Sequence, residues 1–137
     1  MNYKLNEASM FADITDGMAI VINSLTGIYY GMNGFGTEVY DNLVSGSSTE
    51  DVLQALSGMS GVPGDIKERL DSFVGALTGF EIIIPDGDQT PRVPVFNPDV
   101  AAADAFVPEC KEYKDVQELR FADPIHEVDE ETGWTPE

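Results

Sequence analysis

Asp16-Gly17-Met18-Ala19-Ile20-Val21-Ile22-Asn23-Ser24-Leu25-Thr26-Gly27-Ile28-Tyr29-Tyr30 is the stretch that decides the fold. Asp-Gly favours a tight turn because both positions tolerate positive φ. Met18 to Ile22 is a nearly continuous apolar, β-branched run, which reads as a strand. Asn23 to Gly27 supplies turn residues, and Ile28-Tyr29-Tyr30 is the next strand. Upstream, Phe11-Ala12-Asp13-Ile14 alternates at period two. The start of the chain therefore predicts a three-stranded antiparallel sheet.

Downstream the period changes. From Asn33, the apolar residues Phe35, Val39, Tyr40, Leu43 and Val44 follow one helical face, with Asn33 or Thr37 as cap and Gly46 as stop. Ser47-Ser48-Thr49-Glu50 has the form of a capping box and opens a second helix through Val52, Leu53, Ala55 and Leu56. A third helix is expected from about Asp65 to Thr78, with Ile66, Leu70, Phe73, Val74 and Leu77 on one face and Gly79 as a left-handed cap. Phe80 to Ile84 follows as a short strand. The predicted fold class is α+β and winged-helix-like. It has a three-stranded antiparallel sheet, three helices, a short closing strand and an irregular acidic C-terminal tail.

Beyond Pro85 the texture shifts. Asp86-Gly87-Asp88-Gln89-Thr90-Pro91, with Pro94, Pro98 and Pro108, reads as a connector, although Val93, Val95, Phe96 and Phe106 suggest that part of it packs down. Residues 110–137 carry nine acids against three bases, too acidic for an independent core. The chain divides on this reading into a domain at 8–85, a Pro-rich connector at 86–109 and an acidic tail at 110–137. Val116 to Phe121 alternates in character and could add to the sheet edge as an autoinhibitory strand.

Charge excludes whole classes of function. Seven Lys+Arg stand against 25 Asp+Glu in 137 residues, a formal net charge of −18. Binding nucleic acid requires cations that release counterions from phosphates, so no nucleic-acid partner is expected, and an anionic membrane surface is disfavoured likewise. The N-terminus has no basic start followed by an apolar run, and no segment approaches the roughly 20 apolar residues of a membrane span. A single cysteine, Cys110, precludes an internal disulfide, so the cytoplasm is the expected compartment.

Asp16 to Asn23, Thr26-Gly27-Ile28-Tyr29-Tyr30-Gly31-Met32-Asn33 and Gly36 to Leu43 together resemble the PqqD family. That family comprises peptide chaperones of pyrroloquinoline quinone biosynthesis, and its fold recurs as the RiPP recognition element. Thr49-Glu50-Asp51 and Phe80-Glu81-Ile82-Ile83 stand where the family has a helix start and a closing apolar strand. The resemblance covers about residues 8 to 84. It implies that the leader of a ribosomally made precursor peptide adds beside the third strand, in a cleft walled by the third helix. The implied site residues are Ile28, Tyr29 and Tyr30 on the strand and Lys67, Leu70, Asp71 and Val74 on the helix. The implied partners are that precursor and a modifying enzyme such as a radical-SAM protein, and no enzymatic activity or cofactor is expected of the chain itself. Tyr29 and Tyr30 must point to opposite sheet faces, so one is core and the other groove or surface. The Gly-rich stretch Gly58 to Gly64 departs from the family pattern, and with exposed sheet edges it is compatible with a homodimer. The other reading of the same residues is a regulatory or structural winged-helix module that pairs with a protein and binds neither peptide nor DNA.

Other signals reduce to ordinary structure. His126 is the only histidine, and Cys110 lies 16 positions from it, so neither a zinc site nor an activated thiol is expected. Gly31-x-x-Gly34-x-Gly36 lacks the spacing of a dinucleotide or phosphate loop and reads as close packing at a helix start. Asp86-Gly87-Asp88 lacks the later Glu of a calcium loop.

Overall fold

The computed structural model describes residues 1–88 and 90–114. In chain order the elements are β1 (Tyr3–Leu5), β2 (Met10–Thr15), β3 (Met18–Asn23), β4 (Tyr29–Met32), α1 (Gly34–Val44), α2 (Thr49–Ser57), α3 (Ile66–Gly79), β5 (Ile83–Pro85), α4 (Pro98–Ala103) and β6 (Cys110–Tyr113). A four-stranded antiparallel sheet has the order β2-β3-β4-β6, and β1 pairs with β5 in a second, two-stranded sheet.

The expected three strands are β2, β3 and β4. Asp16 and Gly17 both adopt left-handed conformations, with φ of 56° and 79°, and join Thr15 to Met18 as a paired rung. This is the mirror-image turn whose twist suits a two-residue hairpin. Between β3 and β4 the Asn23 carboxamide oxygen accepts from the N–H groups of Leu25 (2.9 Å) and Thr26 (3.2 Å). Gly27, at φ 77°, then reverses the chain. Alternation sends Ala19, Val21, Tyr30 and Met32 inward, where all are buried.

The helices cover that inner face. Asn33 caps α1 through a 2.8 Å bond from the Gly36 N–H. Phe35, Val39 and Leu43 are fully buried below it. Thr37 is no cap. Its hydroxyl accepts from the Ala19 N–H at 2.8 Å, replacing a ladder partner at the end of β3. The cap of α2 is Ser48, which accepts from Asp51 N–H, one residue later than the sequence predicts. Ser47 is instead fully buried and donates to the Arg92 carbonyl at 2.8 Å. At the end of α3 the left-handed residue is Glu81 (φ 63°) and not Gly79. Phe80 keeps a right-handed conformation while its ring packs 4.8 Å from that of Tyr30. The closing strand is shorter than expected and pairs with β1, a strand of only three residues, too short for its alternation to announce it. Gly58 to Gly64 forms the turn between α2 and α3, with Met59 and Val62 packed against the core.

Residues 90–109 wrap α1 as a strap. Asn42, buried on α1, acts as a surrogate strand for Val95: its carboxamide donates to the Val95 carbonyl and accepts from the Val95 N–H, both at 2.9 Å. Asn97 caps α4, and Ala101 and Phe106 join the same core as the preceding helices. The strap lies close because α1 begins Gly34-Phe35-Gly36. A Cβ on Gly36 would sit 2.8 Å from the Glu109 carbonyl oxygen. The Gly-x-Gly spacing is thus close packing at a helix start, as the sequence suggests. Among the described residues no helix is long and apolar enough to cross a membrane.

Candidate functional site: the outer edge of strand β4

The edge implied for peptide addition is already paired. β6 lies antiparallel along β4, with Tyr29 opposite Tyr113, Tyr30 opposite Glu112, Gly31 opposite Lys111 and Met32 opposite Cys110. One step further the Asn33 N–H donates to the Glu109 carbonyl at 3.2 Å. Hydrogen-bonded and non-hydrogen-bonded pairs alternate in an antiparallel ladder, so Lys111 and Tyr113 occupy hydrogen-bonding positions and Cys110 and Glu112 do not. Val116 to Phe121, the segment expected to add here, lies outside the described residues.

Asn33 organises the junction. Its carboxamide oxygen accepts from Gly36 N–H (2.8 Å) and Glu109 N–H (3.0 Å), while its amide donates to the Val107 carbonyl at 2.8 Å. One side chain therefore caps α1 and fixes the segment leading into β6. From the other side Arg69 of α3 donates to the carbonyls of Ala105 (2.9 Å) and Phe106 (3.4 Å) and pairs with Asp65 at 2.8 Å. Ala105 and Phe106 are both left-handed, at φ 53° and 58°, a conformation non-glycine residues adopt at a cost. Burial of Phe106, edge-on to Phe35 with centroids 5.8 Å apart, offsets that cost.

A groove of about 480 Å³ runs between α3 and the strand. Its helix wall includes Arg69, Ser72, Phe73 and Ala76, and Val107 to Lys111 form the opposite wall. Cys110 shares its sheet face with Met32 and packs against the core, and burial pushes its thiol up to about 12. Tyr30 is also shifted upward, chiefly by burial and then by the neighbouring Glu112, Cys110 and Glu81. These groups stay neutral near neutral pH and offer no nucleophile. Among the described residues no three His, Cys, Asp or Glu side chains gather to hold a metal ion.

The implied site residues fall in different places. Tyr30 is buried and Tyr29 half-buried on the opposite sheet face, the division that alternation requires. Ile28 precedes β4, and its carbonyl accepts from the Asn23 N–H, so its backbone belongs to the β3–β4 turn. Leu70 and Val74 belong to the core under α3. Lys67 and Asp71 pair with each other at 2.8 Å on an exposed flank, turned away from the row Arg69, Ser72 and Ala76 that faces the strand. Sequence reasoning did not single out that row or the second role of Asn33. Apolar periodicity finds only the core face of a helix, and the row facing β6 is mixed in polarity.

No protein-family model matches the chain, and no curated protein matches it in sequence. A solved structure, TbiB1 in complex with the TbiA(beta) leader peptide, has the same fold, with a TM-score of 0.54 and 21% sequence identity. The match covers 99% of that chain and 62% of this one, leaving about 52 of 137 residues outside the shared fold (38% of 137). The architecture is thus one on which TbiB1 was solved with a leader peptide.

Proposed function

We propose that this protein is a non-catalytic peptide chaperone of the PqqD and RiPP-recognition-element kind, acting in the cytoplasm. It holds the leader of a ribosomally made precursor as an added strand on β4 and presents it to a modifying enzyme, for example a radical-SAM protein. The observation that carries this reading is the β4 edge itself. Beside α3 it receives an extended segment as an antiparallel rung, with a groove alongside for side chains. Backbone groups of such an edge give sequence-tolerant affinity, and the groove gives selection. The fold shared with TbiB1 supports the same reading.

In this reading Tyr29 to Met32 supply the backbone rungs, Ile28 sets the start of the strand, and Tyr30 lies beneath the peptide. Leu70 and Val74 hold α3 at its distance from the sheet. Arg69, Ser72 and Ala76 face the bound chain, while Lys67 and Asp71 contact the parts of the leader that pass over α3. The formal charge of −18 suits a leader with basic residues.

The test is titration of isotopically labelled full-length protein with the leader of a precursor peptide encoded beside it. Amide shifts should concentrate on Tyr29 to Met32 and the Arg69–Ala76 side of α3. Shifts confined to β2 or α2 would refute the site. The filled β4 edge favours a second reading, a structural or regulatory module that binds no peptide, and the absence of any shift would support it.

A further inference from the structure

We propose that the β4 slot exchanges occupants: the chain's own residues 109–114 fill it at rest, and an incoming extended peptide takes it by displacing them. This rests on the reading of β4 as the leader edge and adds a mechanism of access and a sequence preference.

The segment changes character at Pro108. Before it, the strap is fixed by Phe106 in the core, by Arg69 on two carbonyls and by Asn33 on Val107. After it, β6 is four residues long, Lys111 and Glu112 are exposed, and among the described residues only Cys110 packs against the core. A firm anchor followed by a lightly held rung is the arrangement in which the rung can peel away while the anchor stays.

β6 also records what the slot accepts. The segment runs antiparallel to β4 and places a small apolar side chain, Cys110, opposite Met32 on the core face, with Lys111 on the other face opposite Gly31. An incoming peptide of the same direction needs a small apolar residue at that position, because Met32 and Phe73 are already buried there. The tethered strand competes at the effective concentration of an intramolecular partner, on the order of millimolar. Only a peptide with better side-chain fit displaces it.

The experiment uses the full chain and a fluorescein-labelled peptide of residues 107–114 made with Cys110→Ala, which keeps a small apolar side chain at that position. Lys111→Pro removes an N–H from a hydrogen-bonding position of the ladder and should bind the peptide about tenfold more tightly than the wild type, the equivalent of one to two net hydrogen bonds. In the opposite direction, Met32→Cys faces Cys110 across a non-hydrogen-bonded pair, close enough for a disulfide. Closing it with oxidised glutathione should abolish binding, and reduction should restore it. Equal affinity of wild type and Lys111→Pro, or binding that survives the closed disulfide, overturns the proposal. If Lys111→Pro is unfolded, the disulfide pair decides alone. A precursor leader that binds wild type and Lys111→Pro equally also overturns it. A leader that binds neither, while the self-peptide behaves as stated, leaves the exchange standing and refutes the leader function instead.

Discussion

Gly36→Ala tests whether the strap is built into α1. In an ordinary helix this change stabilises by about 1 kcal/mol, because alanine loses less backbone freedom on folding. Here the added Cβ would stand 2.8 Å from the Glu109 carbonyl oxygen, 3.1 Å from its nitrogen and 2.7 Å from the Asn33 carboxamide oxygen. The Glu109 backbone must retreat, which stretches the 3.2 Å and 3.0 Å bonds that tie it to Asn33. Two such bonds are worth ~1–3 kcal/mol together, so after the helical gain of about 1 kcal/mol the net cost is ~0–2 kcal/mol. For a chain of this size that lowers Tm by up to roughly 6 °C, where an unobstructed glycine would give a rise. Gly75→Ala is the internal control, since Gly75 is exposed within α3 and a Cβ there meets nothing within 4 Å. It should raise stability by about 1 kcal/mol. Thermal unfolding by circular dichroism reads both variants side by side. If Gly36→Ala stabilises as much as Gly75→Ala, the close approach of the strap is refuted.

Three further outcomes are expected. Asn42→Ala leaves both backbone groups of Val95 without their partner and should cost about 2 kcal/mol in urea unfolding, with Asn42→Asp intermediate because it keeps the acceptor. Lys67→Ala should change stability by less than ~0.5 kcal/mol, because the side chains of its pair with Asp71 are 65% and 61% exposed. Burial raises the Cys110 thiol from 9.0 to about 12, and burial, aided by Asp41 and Glu7, raises the Tyr40 hydroxyl from 10.0 to about 12. The folded state thus holds these protons more tightly than the unfolded chain. Their contribution is intact below about pH 9 and is lost as pH rises from there toward about 12. The urea midpoint should hold up to pH 9 and fall above it, and native Cys110 should react with iodoacetamide at pH 8 at least about tenfold more slowly than in urea. A flat alkaline profile would refute the burial of both groups.

The arrangement at β4 shows how much of this strand edge is legible in the sequence. That Tyr29 and Tyr30 divide between two faces follows from strand alternation, and Tyr30 proves to be the buried one. The helix stripe Leu70 and Val74 was legible as apolar periodicity, but periodicity locates the face toward the core, not the face toward a neighbouring strand. The row Arg69, Ser72 and Ala76 carries no periodic signal. Cys110 to Tyr113 carries none either: Cys-Lys-Glu-Tyr is neither apolar nor alternating enough to announce a strand.

By itself the sequence determined whatever depends on neighbours a few positions apart. The Asp16-Gly17 turn, the β3 run, the helical spacing from Phe35 to Leu43 and the Asn33 cap are set by φ preferences and side-chain periods that act within one or two turns of chain. Only the tertiary structure decided that β1 pairs with β5 across about 80 residues, that residues 90–109 close over α1, and that β6 takes the edge of β4. Those pairings are made by backbone groups common to every residue. Which edges meet is settled by the three-dimensional competition among all segments for the same core, and a small apolar residue such as Cys110 gains its place from Met32, which lies 78 positions away.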